Sequence, residues 1–372
     1  MSTLSRREFL SCAAVGGCST LCLAHNSRAQ TLAAPTALVE ARYYEKLPNR
    51  KIQCKLCPRE CLIDDLERGY CGVRENNGGT YYSLVYGKPC TAHIDPIEKK
   101  PLFHFLPGTT AFSLATVGCN VMCKFCQNWE ISQSTPEQVK SFDLPPIDVA
   151  AVAKQRGCAS IAYTYSEPVI FAEYMYDSAI QGNDLGVRSV MITNGYINPE
   201  PMRDLCGVLS GVKIDLKAFT ERFYKELVAG ELRPVLDTLV LLRKENMWTE
   251  VVYLVIPGQN DDRHELEEMC TWIYKELGPD TPVHFTRFHP QYRLKNLPST
   301  PLGTLRAARQ IGLECGLNYV YTGNVPGDPG ENTFCPNCGE IVIKRMGFSI
   351  LGSFIKNGAC ASCGQAIAGV WS

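Results

Sequence analysis

The sequence predicts an α/β chain: a partial (β/α)6 barrel of the TIM type, with a small four-cysteine module ahead of it and a second cysteine-clasped segment behind. Three observations lead there. From about residue 110, short β-rich runs alternate with amphipathic helical stretches, the rhythm of βα units around a parallel sheet. Hydrophobic residues make up 45% of the 372 and charged ones 20%, enough apolar side chain for a large core. Eleven of the 19 cysteines fall into three groups, one within the barrel rhythm and one on either side of it.

Residues 1–30 read as an export signal. Ser5-Arg6-Arg7-Glu8-Phe9-Leu10 carries a twin arginine, a run of apolar and small residues follows to Ala24, and Ser27-Arg28-Ala29 offers a cleavage site. Cys12, Cys18 and Cys22 fall inside this leader and have no expected part in the fold. Residues 31–110 form the N-terminal cysteine-rich module and lack the barrel rhythm. The core is expected over 111–325, with strands at 112–117, 159–165, 187–192, 212–216, 249–256 and 282–288. Helices fill the gaps. One spans 263–277, capped by Asp262 and stopped by Gly278-Pro279, with Leu266, Met269, Cys270, Ile273 and Leu277 on one face. Another runs from about 168 to 181 behind Pro168, and a third follows Thr300-Pro301 and ends near Gly316. Residues 331–372 carry the last cysteine group. No stretch beyond the leader is apolar enough to span a bilayer. The net charge of -1, with basic pairs isolated, leaves no field for nucleic acid.

The central group, Cys119-x3-Cys123-x2-Cys126, follows the first core strand, where a barrel of this kind places its chemistry. Three thiolates from one tight loop hold three irons of a four-iron four-sulfur (4Fe-4S) cube and leave the fourth without a protein ligand. That open iron can chelate the amino and carboxylate groups of S-adenosylmethionine, pass one electron into its sulfonium and release a 5'-deoxyadenosyl radical. Zinc lacking a fourth ligand, or unpaired buried thiols, are the plainer readings of the same three residues.

The loop resembles that of the radical S-adenosylmethionine (radical SAM) enzymes, and the resemblance spans most of residues 45–325. It is nearest to the pyruvate formate-lyase-activating-enzyme branch, and within it to the radical enzyme of the AmmeMemoRadiSam system. Its carriers are Asp95-Pro96-Ile97-Glu98-Lys99-Lys100-Pro101-Leu102, Cys126-Gln127-Asn128-Trp129, Tyr163-Thr164-Tyr165-Ser166-Glu167-Pro168, Ile214-Asp215-Leu216-Lys217-Ala218-Phe219 and Val255-Ile256-Pro257-Gly258. By that likeness Phe125 faces the adenine. Tyr165-Ser166-Glu167 stands where many relatives have Gly-Gly-Glu and meets the methionyl amino group. Asp215 and Lys217 match contacts to the amino acid part of the ligand, and His289 matches a histidine after the sixth strand. Asn194, before Gly195 after the third strand, joins them as a strand-end residue. Read singly, Glu167 serves equally to charge-stabilise a helix N-terminus, and Asn194-Gly195 passes for a turn. Their recurrence at successive strand ends favours a site. The resemblance also implies a low-potential electron donor and, for an activase, a protein substrate.

The C-terminal group, Cys335-x2-Cys338 and Cys360-x2-Cys363, has the form of a zinc ribbon, each knuckle ending in a glycine that lets the backbone turn under the metal. Disulfides or a rubredoxin-like iron are its alternatives. The N-terminal group, Cys54-x2-Cys57-x3-Cys61-x9-Cys71, closes a site on zinc or on a second iron-sulfur cluster, and its spacing does not choose. The expected function is reductive cleavage of S-adenosylmethionine for hydrogen abstraction from a substrate that no motif names. A glycyl-radical-enzyme activase and a non-catalytic iron-sulfur electron-transfer protein are the rivals. On location the leader points to the periplasm and the ligand supply to the cytoplasm.

Overall fold

Runs of Val, Ile and Ala buried on both faces demand cover above and below, and parallel strands with helical crossovers supply it. The computed structural model describes residues 38–372; the leader, with Arg6 and Arg7, lies outside them. The main sheet begins with β1 (Thr91–Pro96), antiparallel to β2 (Thr110–Ala115). From β2 onward each strand is parallel to the next: β3 (Ser160–Tyr163), β4 (Arg188–Thr193), β5 (Gly211–Asp215), β6 (Thr249–Val255), β7 (Val283–Arg287) and β8 (Val320–Gly323). The crossovers are α1 (Pro146–Gln155), α2 (Ala172–Asp184), α3 (Pro199–Cys206), α4 (Leu232–Lys244), α5 (Arg263–Glu276) and α6 (Leu302–Glu314). Strand order follows chain order from β1 to β8, and among the described residues the two end strands do not pair, so the barrel stays open.

The six βα units are those expected, with one more parallel strand, β8, closing the series. The expected 263–277 helix is α5: the Asp262 carboxylate accepts from the backbone N-H of His264 (3.0 Å) and Glu265 (3.1 Å), while Leu266, Met269, Cys270 and Ile273 are buried. Pro168 opens a single 3-10 turn, Pro168–Phe171, that runs into α2. Among the described residues no helix is long and apolar enough to cross a membrane.

The N-terminal ends of the strands are plugged by residues 97–106. Ile97, Leu102, Phe105 and Leu106 pack on Ala111, Ala162, Val190 and Ile192 of the inner face. Beside them the buried Glu250 carboxylate accepts from the Phe103 N-H (2.9 Å), the His104 N-H (2.8 Å) and the Trp248 indole (3.2 Å), and lies 2.8 Å from His284 Nε2. The C-terminal segment covers this floor from outside. Arg345 donates to the Phe103 carbonyl (2.8 Å), Val370 N-H to that of His104 (2.7 Å), and Leu106 N-H to that of Val370 (2.8 Å). Phe103, Tyr319 and Tyr321 share one apolar cluster with Cys335, Val342, Cys360 and Ile367.

Candidate active site at the open end of the barrel

Loops after β2, β3, β4 and β5 converge at the other end. Gly118, with φ of +97°, turns the chain out of β2; a Cβ there would lie 2.7 Å from Val73 Cγ1 and 2.8 Å from the Cys71 carbonyl, so a larger residue cannot fit. Cys119, Cys123 and Cys126 follow. Backbone bonds fix the loop: Met122 N-H to the Val228 carbonyl (2.9 Å) and Lys124 N-H to that of Leu227 (2.8 Å). Arg293 N-H donates to the Lys124 carbonyl (2.9 Å), which brings the loop after β7 across it.

Glu167 lies four residues beyond the end of β3 and is 3% exposed. Its carboxylate accepts from the Thr193 hydroxyl, from Asn194 N-H (2.8 Å) and from Val169 N-H (3.1 Å), so it caps a helical turn and ties β3 to β4 at once. Burial nevertheless pushes its carboxyl up to about 7. Asn194 then reaches the cysteine loop, its amide 2.9 Å from Asn120 Oδ1 and 4.0 Å from Cys119 Sγ. On β5 the Asp215 carboxylate accepts from Lys213 and from Lys217 (3.0 Å); burial works against its charge, but the two ammonium groups hold it down to about 2. Lys213 lies on the inner face, since Val212 and Ile214 on either side of it are in the helix-side core.

Tyr165 takes φ of +66°, costly for a bulky residue and free only for glycine. Its carbonyl accepts from Asn128 (2.8 Å), and its hydroxyl donates to Asp95, which also accepts from Lys99 (2.8 Å) and Lys100 (2.5 Å). Lys100 lies 4.4 Å from the Tyr165 ring, and burial pulls its ammonium down to about 8. Ser166 Oγ is buried without a partner, an orphaned polar atom between Tyr165 and Glu167. Phe125 is buried against Phe223, with ring centroids 5.7 Å apart. His289 is exposed and bonds to Ser299 (3.2 Å), apart from the hydrogen-bonded group.

Residues 113–273 match the Radical SAM superfamily. The chain belongs to this superfamily. It is 46% identical over 330 residues to the uncharacterized protein MJ0808 of Methanocaldococcus jannaschii, covering 88% of this chain and 98% of that one. Over 180 residues it is 23% identical to the pyruvate formate-lyase 1-activating enzyme of Escherichia coli K12, covering 46% of this chain and 71% of that one, and it stands on that branch as a radical SAM enzyme. A solved domain of the pyruvate-formate lyase-activating enzyme from Bacteroides vulgatus aligns with TM-score 0.40 and 14% identity, over 44% of this chain and 99% of that one.

The radical SAM site fits the cofactors its family requires. Three thiols from one loop would leave one iron of a bound cluster open, the buried Ser166 hydroxyl is unpartnered, and Glu167 and Lys217 would face a ligand with a carboxyl and an ammonium group. When bound, the 4Fe-4S cluster supplies the electron that cleaves S-adenosylmethionine for radical chemistry. Sequence reading singled out no role for Asp95, Lys100 or Lys213. Lys213 carried a signal, because it shares the period-two face of Asp215 and Lys217. The pairing of Asp95 with Tyr165, 70 residues apart, carried none.

Proposed function

We propose that Cys119, Cys123 and Cys126 ligate the 4Fe-4S cluster, and that Glu167 and Ser166 receive the methionyl ammonium of S-adenosylmethionine while Lys217, steered by Asp215, receives its carboxylate. Phe125 bounds the adenine side, Asn194 fixes the loop to β4, Tyr165 shapes the backbone at β3, and His289 approaches from the loop after β7. The observation that carries this reading is Asn194, whose backbone N-H donates to Glu167 and whose amide reaches Asn120 and Cys119. The test is anaerobic reconstitution with a low-potential reductant and measurement of 5'-deoxyadenosine and methionine. Alanine at Cys119, Cys123 or Cys126 is expected to abolish both products; unchanged turnover in all three variants overturns the assignment.

The inner face beside this site supports an anionic substrate. Lys100 and Lys213, both buried, stand with Lys99 and Lys217 beside Asp95, Asp215 and Glu167, four ammonium groups to three carboxyls, an excess of positive charge at the lumen. Lys213→Met is expected to keep uncoupled cleavage but lose the stimulation given by an anionic fraction of cell extract. The Asp95 to Leu102 stretch supports a likeness to the AmmeMemoRadiSam enzyme, the four C-terminal cysteines support zinc, and the leader supports export of a folded, cluster-loaded chain. Fractionation of wild type beside Arg6→Lys/Arg7→Lys tests the last; a full-length cytoplasmic product in both overturns it.

A further inference from the structure

The N-terminal cysteines are left without a role by the site above. We propose that Cys54, Cys57, Cys61 and Cys71 hold an iron-sulfur cluster rather than zinc, seated against the radical loop. A tetrahedral zinc with Zn-S bonds of about 2.3 Å sets its sulfurs about 3.8 Å apart. The C-terminal quartet meets that requirement: Cys335 and Cys363 Sγ are 3.6 Å apart, Cys338 and Cys360 Sγ 3.8 Å, and all four lie within 4.8 Å of one another. Among the described residues that quartet is the group of metal-ligating side chains so converged. Backbone pairing sets Cys54 beside Cys61 (Cys54 N-H to the Cys61 carbonyl, 2.9 Å) with Cys57 in the turn between them, and the turn that carries Cys71 packs through Gly69 on Ile63 and Tyr81, yet no three of the four close to the spacing of a single ion. Gathered but wider spacing is what a multi-iron body between the thiols requires.

The surroundings suit such a body. Cys54 and Cys57 are buried among Ile52, Leu56, Ile63, Val73 and Tyr81. The module is bolted to the radical loop. Arg59, between Cys57 and Cys61, donates to the Asn120 carbonyl (2.5 Å) and to that of Ala229, and is covered by the Tyr70 ring at 3.4 Å. The Cys71 carbonyl abuts Gly118, one residue before Cys119. Zinc has no redox chemistry, whereas an iron-sulfur cluster here accepts one electron from a low-potential one-electron donor and gives it to the cluster of Cys119, Cys123 and Cys126, leaving the donor oxidised by one electron and that cluster reduced by one. The electron path rests on the proposed function; the identity of the metal does not.

The experiment compares iron, sulfide and zinc in anaerobically purified full-length protein with those in two variants, alongside low-temperature electron paramagnetic resonance after reduction. Wild type is expected to hold about eight irons, and Cys119→Ala/Cys123→Ala/Cys126→Ala to keep about four of them with a reduced-cluster signal. Cys61→Ser/Cys71→Ser is expected to lose about four irons with zinc unchanged. An iron-free triple variant, or zinc that departs in Cys61→Ser/Cys71→Ser, overturns the proposal. The triple variant leaves the N-terminal quartet intact, so it decides the matter even where the other fails to fold.

Discussion

Alanine at Glu173 strips the counter-charge from Arg74, a guanidinium only 1% exposed. Arg74 donates two hydrogen bonds to the Glu173 carboxylate and a third, from Nε, to the Ile170 carbonyl (3.0 Å); Arg42 N-H adds a bond to Glu173 (2.7 Å). Leaving a buried charge unpaired costs about 3–5 kcal/mol. At an unfolding entropy of about 2.1 cal/mol/K per residue, a body of this size has about 0.7 kcal/mol/K, so Glu173→Ala should lower the melting temperature by about 4–7 °C. Arg74→Met/Glu173→Leu removes both charges in similar volume and is expected to stay within about 2 °C of wild type. The assay is thermal unfolding of anaerobically purified proteins of matched metal content at one scan rate. A single variant that melts with wild type, or a double variant that falls as far as the single one, refutes the account of this pair as a charge held by its partner.

Gly118→Ala forces a Cβ onto Val73 and the Cys71 carbonyl, and iron analysis should show loss of the radical-loop cluster with the C-terminal metal retained. Glu167 is held near 7 in the folded protein against an ordinary 4.5, so the folded state keeps its proton longer than the unfolded one; stability of cluster-free protein should fall as pH rises from 4.5 to 7, by about 3 kcal/mol. Glu167→Gln should flatten that dependence in melts across the same range. Cys338→Ser/Cys363→Ser should lose one metal ion and weaken the floor, read as earlier thermal exposure of Trp371 fluorescence, because Phe103, Tyr319 and Tyr321 share their cluster with Cys335 and Cys360.

Strands buried on both faces, by helices outside and by the lumen within, are legible because their Val and Ile runs are continuous, as in β4 and β6. β1 reads Thr-Ala-His-Ile-Asp-Pro, an edge strand with little to bury, and β8 has only four residues, so neither gives a periodic signal. Its pairing with β2 takes β1, from within the 31–110 stretch, into the barrel sheet. At the site, Glu167, Asn194 and Asp215 are legible from recurrence at strand ends; the structure joins Glu167 to Asn194 through a backbone bond that no motif contains, while Asp215 pairs with Lys213 and Lys217. Lys100 is found only through Asp95, whose third partner Tyr165 comes from another strand end. His289 is the reverse, a motif position whose exposed ring bonds to Ser299 alone among the described side chains.

The floor of the barrel sets an order of events during synthesis. Residues 97–106 emerge early, but the groups that satisfy the Phe103 and His104 carbonyls come from Arg345, 242 residues after Phe103, and from Val370 beyond it. Until then the Phe103 and His104 carbonyls have only water, and the apolar faces of Tyr319 and Tyr321 stand open. The radical loop and its partners through Lys217 are complete more than a hundred residues sooner. The catalytic end can therefore take shape on a nascent chain whose opposite end is still unsealed, and the segment around Arg345 and Val370 later closes the molecule from below.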